Sequence, residues 1–225
     1  MAAPRTGYGL PAARHGGLAR LLLAAAFLLL FAVVLAPPSR GEAPRRSAAE
    51  LMDVLMWDRE PVGGPFALTD QTGTPRTEAD YAGRFLLVYF GFSYCPDICP
   101  TDLFQIGRAL DALGPEGEVI QPLFVTLDPE RDTPAHLAEY LPLFHPRLVG
   151  LSGPAERIRA VADAYKVYYR RVETGGGDYT VDHSAYVYLI DPQGRYLGFF
   201  PPGTAAERML TIIRPHLARA REAAR

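Results

Sequence analysis

The chain has 225 residues, of which 48% are hydrophobic and 21% charged, so it has ample apolar material for one globular domain plus an extension. Net charge is −2, divided unevenly: residues 1–40 hold four arginines and no acid, and residues 41–225 hold 19 basic and 25 acidic side chains. A domain at −6 with a single lysine, Lys166, is excluded as a general nucleic-acid binder.

Leu21 to Ala36 is uninterrupted apolar sequence, and with Leu18, Ala19 and Arg20 it makes 19 residues. At about 1.5 Å per residue this reaches roughly 28 Å, enough to cross a bilayer. Arg5, Arg14 and Arg20 precede it, which predicts a cytoplasmic N-terminus and a domain on the far side, although Arg40, Arg45 and Arg46 follow closely. A cleaved signal peptide is the rival reading; Val34-Leu35-Ala36 fits a cleavage site, but Pro37 after it does not. The resulting division is a cytoplasmic tail over 1–17, an anchor over 18–36, a linker with a short juxtamembrane helix over 37–63, and a domain over 64–221.

Ser47-Ala48-Ala49-Glu50 fits a capping box opening a helix to Trp57, with Leu51, Val54 and Leu55 on one face. Met52 and Met56 share a face, which packing explains better than metal ligation. Phe66–Thr69 and the turn Asp70–Gly73 predict a small hairpin, and the apolar run Phe85–Phe92 a buried central strand. A helix follows over Thr101–Leu113, then a strand over Val119–Leu127. Thr133-Pro134 opens a helix to about Phe144. A short strand over Leu148–Leu151, a helix over Pro154–Tyr165 and a strand over Val167–Val172 come next. Gly175-Gly176-Gly177 marks a loop tip. Ala185–Ile190 and Tyr196–Phe200 form a hairpin, and Thr204–Arg221 is the last helix. Strands interleaved with helices predict an α/β sandwich around a mixed sheet.

The only two cysteines, Cys95 and Cys99, lie between the central strand and the helix after it, each followed by a proline. A residue before proline avoids helical angles, so Cys99 is placed at a helix N-cap with Pro100 opening the helix, and Pro96-Asp97 as the tight turn. Both sulfurs then lie near the positive end of a helix dipole, which favours thiolate. That form serves both metal binding and disulfide exchange. Three intervening residues are one more than the usual redox pair has, and a structural zinc site would want four protein ligands. Two thiolates with one imidazole suit Cu(I).

Five histidines could supply the imidazole. His15 precedes the apolar segment; His136 is assigned to a helix surface, His145 to a helix end, and His216 to the last helix. His183 lies where the glycine-rich loop enters a strand, and pattern alone leaves it either a third ligand or a strand-end polar residue. Asp182 beside it should point the opposite way on an extended chain. The acidic stretch Asp128-Pro129-Glu130-Arg131-Asp132-Thr133-Pro134 reads as turn and helix-start chemistry rather than as a hard-metal site.

These segments together resemble the Sco/SenC family of copper-binding proteins, over roughly Gly64 to His216. The resemblance rests on Gly91–Pro100, Val125–Pro134, Phe144–Arg147, Gly150–Gly153, Val181–Ala185 and Tyr188–Pro192. It implies a membrane-anchored thioredoxin-like fold with copper, Cu(I) and also Cu(II), on Cys95, Cys99 and His183. In place of the cis-proline that thioredoxin-like reductases set opposite their thiols, the similarity puts Asp182-His183-Ser184. The implied function is delivery of copper to the dinuclear copper site of cytochrome c oxidase, with that site's subunit as partner. Another copper chaperone or a thioredoxin-like reductase would be further partners. The implied location is the inner membrane, single-pass, with the domain in the periplasm. The alternative is a thiol–disulfide oxidoreductase that reduces the cysteines of the oxidase copper site.

Overall fold

The computed structural model describes residues 46–57 and 60–223, so the expected anchor, the tail before it and His15 lie outside the described residues. Among the described residues no helix is long and apolar enough to cross a membrane. The capping box forms as expected: the Ser47 backbone N–H donates to Glu50 at 2.7 Å, and the Glu50 N–H to Ser47 Oγ at 3.3 Å. It starts helix α1, Ala48–Trp57, whose Leu55 is buried in the core.

Strands β1 (Ala67–Asp70) and β2 (Pro75–Thr77) form the first hairpin. Then come β3 (Phe85–Gly91), α2 (Ile98–Leu113), β4 (Ile120–Thr126), α3 (Pro134–Tyr140), β5 (Val149–Ser152) and α4 (Ala155–Ala164). Strands β6 (Tyr169–Gly175) and β7 (Asp178–His183) pair only with each other. Strands β8 (Val187–Ile190) and β9 (Tyr196–Phe200) and helix α5 (Ala206–Ala223) complete the fold. The sheet order is β2-β1-β5-β4-β3-β8-β9, with β3, β4 and β5 parallel and the other pairs antiparallel, so the sheet is mixed as expected. Every residue of β3 is buried, as a continuous apolar run in a central strand requires.

Several boundaries differ from the sequence reading, those nearest the cysteines having clear causes. Helix α2 begins at Ile98 rather than Thr101, so Asp97 is the N-cap and Cys99 lies inside the first turn. First-turn N–H groups have no helical partner, so Pro100 is accommodated there without loss. The hydrogen-bonded turn before it is Ser93-Tyr94, closed by Cys95 N–H to the Phe92 carbonyl at 3.2 Å, and not Pro96-Asp97. Helix α3 stops at Tyr140 and continues as one tighter turn, Leu141–Leu143, because Pro142 lacks the N–H that an α-helix would use. The glycine run is a hairpin tip. Gly175, Gly176 and Gly177 all take positive φ there, and the polar segment after it is strand β7.

Candidate metal centre

Sheet topology explains why residues 84 positions apart meet. Parallel strands β3 and β4 end side by side, Gly91 opposite Thr126, so the loops that follow them emerge together. Strand β8 runs antiparallel to β3 with Val187 opposite Tyr89, so the segment entering β8 arrives at that same end. The cysteine loop, the 127–133 loop and His183 therefore share one edge of the domain.

There Cys99 Sγ lies 3.5 Å from His183 Nε2. Cys95 is electrostatically coupled to both Cys99 and His183. Both cysteines are free thiols; Cys99 is fully buried and Cys95 half-buried. Cys99 donates its proton toward Cys95. That hydrogen bond outweighs desolvation and, with help from His183 and the backbone N–H groups of Asp97 and Cys99, holds Cys95 down at about 3. The same hydrogen bond, together with burial, pushes Cys99 far up. The pair is thus one thiolate facing outward and one thiol facing inward.

Gly91 makes room for Cys99. A Cβ at that position would sit 3.0 Å from Cys99 Sγ and from the Tyr89 ring, and 3.2 Å from Phe124. Beneath, Asp102 is fully buried, accepts from the Gly203 backbone at 2.7 Å, and is pushed up to about 6, with burial as the main cause. The Phe92 ring meets His183 edge-on at 5.9 Å between centroids. His183 Nδ1 is buried without a hydrogen-bond partner. Asp182 points away, as its alternation on the strand requires, and pairs with Arg170 at 3.6 Å. Among the described residues no three His, Cys, Asp or Glu side chains form a ready-made metal cage.

The other histidines separate by position. His216 lines a cavity with Phe85 and Asp191, at the opposite end of β3 from the cysteines. His145 is buried and accepts from the Arg147 backbone at 3.1 Å. His136 is more than a surface residue: its Nε2 lies 2.8 Å from Ser93 Oγ, and its ring stacks on Tyr94 at 5.4 Å.

The acidic stretch is structural, as read, but it reaches the site. The fully buried Asp132 carboxylate accepts from Ser93 N–H at 3.1 Å, from the Ser93 hydroxyl, and from Thr126 at 2.7 Å. Burial is the main cause holding its pKa above the usual range. Asp128 accepts from the Tyr179 hydroxyl at 2.7 Å. Composition singled these acids out, but their partners 39 and 51 residues away left no mark in the sequence.

Comparison with known proteins identifies the family. The SCO1/SenC family model matches residues 56–218. Protein SCO2 homolog, mitochondrial, of Bos taurus is 45% identical over 159 residues, covering 69% of this chain and 59% of that protein. The chain thus spans about three fifths of the length of that relative. The structure of Bradyrhizobium japonicum ScoI, solved with copper bound, is similar with a TM-score of 0.64 at 42% identity, covering 68% of this chain and 98% of that one. Yeast Sco1 with copper bound gives a TM-score of 0.66 at 40% identity, covering 71% and 90%. With a family model extending across most of its length and relatives of this identity, the chain belongs to the SCO1/SenC family.

Proposed function

We propose that this protein is a copper metallochaperone whose cargo ion is held by Cys95, Cys99 and His183. The observation that carries the reading is the 3.5 Å approach of Cys99 Sγ to His183 Nε2, with Cys95 four residues before Cys99 on the same loop. Two sulfurs and an imidazole nitrogen match the preference of Cu(I) for soft, low-coordinate sites, and copper-bound relatives support the choice of ion. Cys95 is the more exposed of the two sulfurs and its pKa is lowered, so it is the donor that first meets incoming copper. Loading also removes the Cys99 proton, which makes uptake release acid. The recipient is the copper-site subunit of cytochrome c oxidase. The anchor over 18–36 would hold the domain on the periplasmic face of the inner membrane, where another copper chaperone could load it and a thioredoxin-like reductase keep its thiols reduced.

A second reading is supported by the thiolate–thiol pair itself: Cys95 suits attack on a target disulfide, with Cys99 resolving the mixed disulfide and the electron pair passing to the target. Copper titration of the reduced protein against its His183→Ala variant, followed by absorption and EPR, tests the first reading. One copper per chain is expected, with tight binding lost in Cys95→Ser and Cys99→Ser and weakened in His183→Ala. Wild-type affinity and spectrum in His183→Ala would overturn the three-ligand site. Accumulation of a target mixed disulfide by Cys99→Ser, with no copper retained by the wild type, would favour the second.

A further inference from the structure

The loop between β4 and α3 supplies no ligand in the reading above, yet it touches both segments that do. Its Asp132 grips Ser93, two residues before Cys95. Its Arg131 and Asp128 grip strand β7, which ends in His183. Tyr179, Val181 and His183 share one face of that strand, and Val181 is buried in the core, so all three face inward.

The grip on Tyr179 has several parts. The Tyr179 hydroxyl donates to the buried Asp128 carboxylate at 2.7 Å. Arg131 Nη1 donates to the Tyr179 carbonyl at 3.1 Å and reaches Asp178 at 3.4 Å. The Arg131 guanidinium lies 3.7 Å from the Tyr179 ring centroid, 4.7 Å from Tyr94 and 6.0 Å from Phe92. It is therefore packed between the cysteine loop and the histidine hairpin, and it is paired with Asp128. A two-stranded ribbon has little stability of its own, and β6–β7 shares no ladder with the main sheet. Its placement depends on contacts such as these and on Arg159, which stacks on Tyr169 beside His183 in the register.

We propose that Arg131 and Tyr179 are positioning residues for metal binding, holding His183 within ligating distance of Cys99. The proposal rests on the three-ligand reading. Without the clamp the hairpin loses its fixed approach to the cysteines, and copper falls back on the two sulfurs. A lysine at 131 would keep the charge but lose the planar fork that bonds a carbonyl and stacks on rings at once.

The test is a double-mutant cycle on the full chain. Copper affinity is measured by competition titration, and the imidazole nitrogen coupling by EPR of the Cu(II) form. Arg131→Gln and Tyr179→Phe are each made in the wild-type and His183→Ala backgrounds. Arg131→Gln should weaken copper binding about 10- to 100-fold and diminish the nitrogen coupling. In the His183→Ala background it should cause no further loss. Tyr179→Phe keeps the ring and the fold; it should give a smaller loss, up to about tenfold, again only where His183 is present. Equal losses in both backgrounds, or unchanged affinity and nitrogen coupling in both variants, would overturn the clamp while leaving the three ligands in place. An unchanged His183→Ala protein would overturn the ligand reading and the clamp with it.

Discussion

The segments that bring sulfur and nitrogen to this site are held in different ways. The cysteine loop is continuous with a fully buried central strand of the main sheet at one end and with a sixteen-residue helix at the other. Its geometry follows from backbone ladders and core packing. His183 instead ends one strand of a two-stranded ribbon whose residues are mostly exposed, and side chains from another loop hold that ribbon in place. The site thus joins a rigid half to a half whose position is set by a few specific contacts. Stability and copper affinity should accordingly separate: changes around the cysteines should affect both, and changes at the hairpin clamp mainly affinity.

The largest effect expected on the rigid half comes from Asp132→Ala. It leaves Ser93 N–H, the Ser93 hydroxyl and the buried Thr126 hydroxyl without their shared acceptor. Unsatisfied buried donors cost about 1–3 kcal/mol each, offset by relief of burying the carboxylate, so a loss of about 3 kcal/mol is expected in urea unfolding. The loosened turn should also speed alkylation of Cys95. If Asp132→Ala unfolds like the wild type and Cys95 reacts at an unchanged rate, the cysteine loop does not depend on the 127–133 loop.

Asp102 gives the same half a pH dependence. Its folded pKa of about 6 lies above the ordinary value of 3.8. The folded state therefore keeps a proton that the unfolded chain gives up, and stability falls as pH rises from about 4 to 6. Two units correspond to at most about 3 kcal/mol. Asp102→Asn keeps an acceptor for Gly203 without the charge, so it should flatten that part of the stability–pH curve. An unchanged slope would assign it to other groups. Gly91→Ala is expected to cost about 1–3 kcal/mol, since its methyl group would press on Cys99 Sγ, Tyr89 and Phe124 together. It should also lower copper affinity by displacing Cys99. A loss of stability with affinity intact would show that the methyl group is accommodated on the Phe124 side instead.

The rigid half was the more legible in the sequence. An apolar run, two cysteines, and a periodic helix of Leu103, Ile106, Leu110 and Leu113 define a strand, a loop and a helix by local pattern alone. Even there the helix starts at Ile98, three residues before the sequence pattern suggests, because a first turn tolerates Pro100. Strand β7 is hard to read from sequence: Asp178, Thr180 and Asp182 alternate with Tyr179, Val181 and His183, but glycines precede it and its polar face obscures the pattern. Pattern alone leaves His183 open between ligand and strand-end residue, and only the family resemblance points to the ligand reading. The loop 127–133 was legible as turn chemistry and illegible as a clamp, because its partners Ser93 and Tyr179 lie on either side of it in the chain, 39 and 51 residues from Asp132 and Asp128.

The smallest expected effect sharpens the contrast within the hairpin itself. Arg170 and Asp182 pair across β6 and β7 at 3.6 Å, adjacent in register and next to His183 in sequence, so proximity alone would rank them above Arg131. Both side chains are more than half exposed, and Asp182 faces away from the cysteines. Exposed pairs of this kind contribute about 0–1 kcal/mol, and they act on no buried neighbour. Arg170→Gln should therefore change the unfolding midpoint little, by less than about 0.5 kcal/mol, and leave copper affinity at the wild-type value. A drop in affinity matching that of Arg131→Gln would mean that the hairpin's general charge or rigidity sets the site, and not the inward-facing contacts of Tyr179. Unchanged affinity beside a large loss in Arg131→Gln would place the control of His183 on the face of β7 that looks toward the cysteine loop.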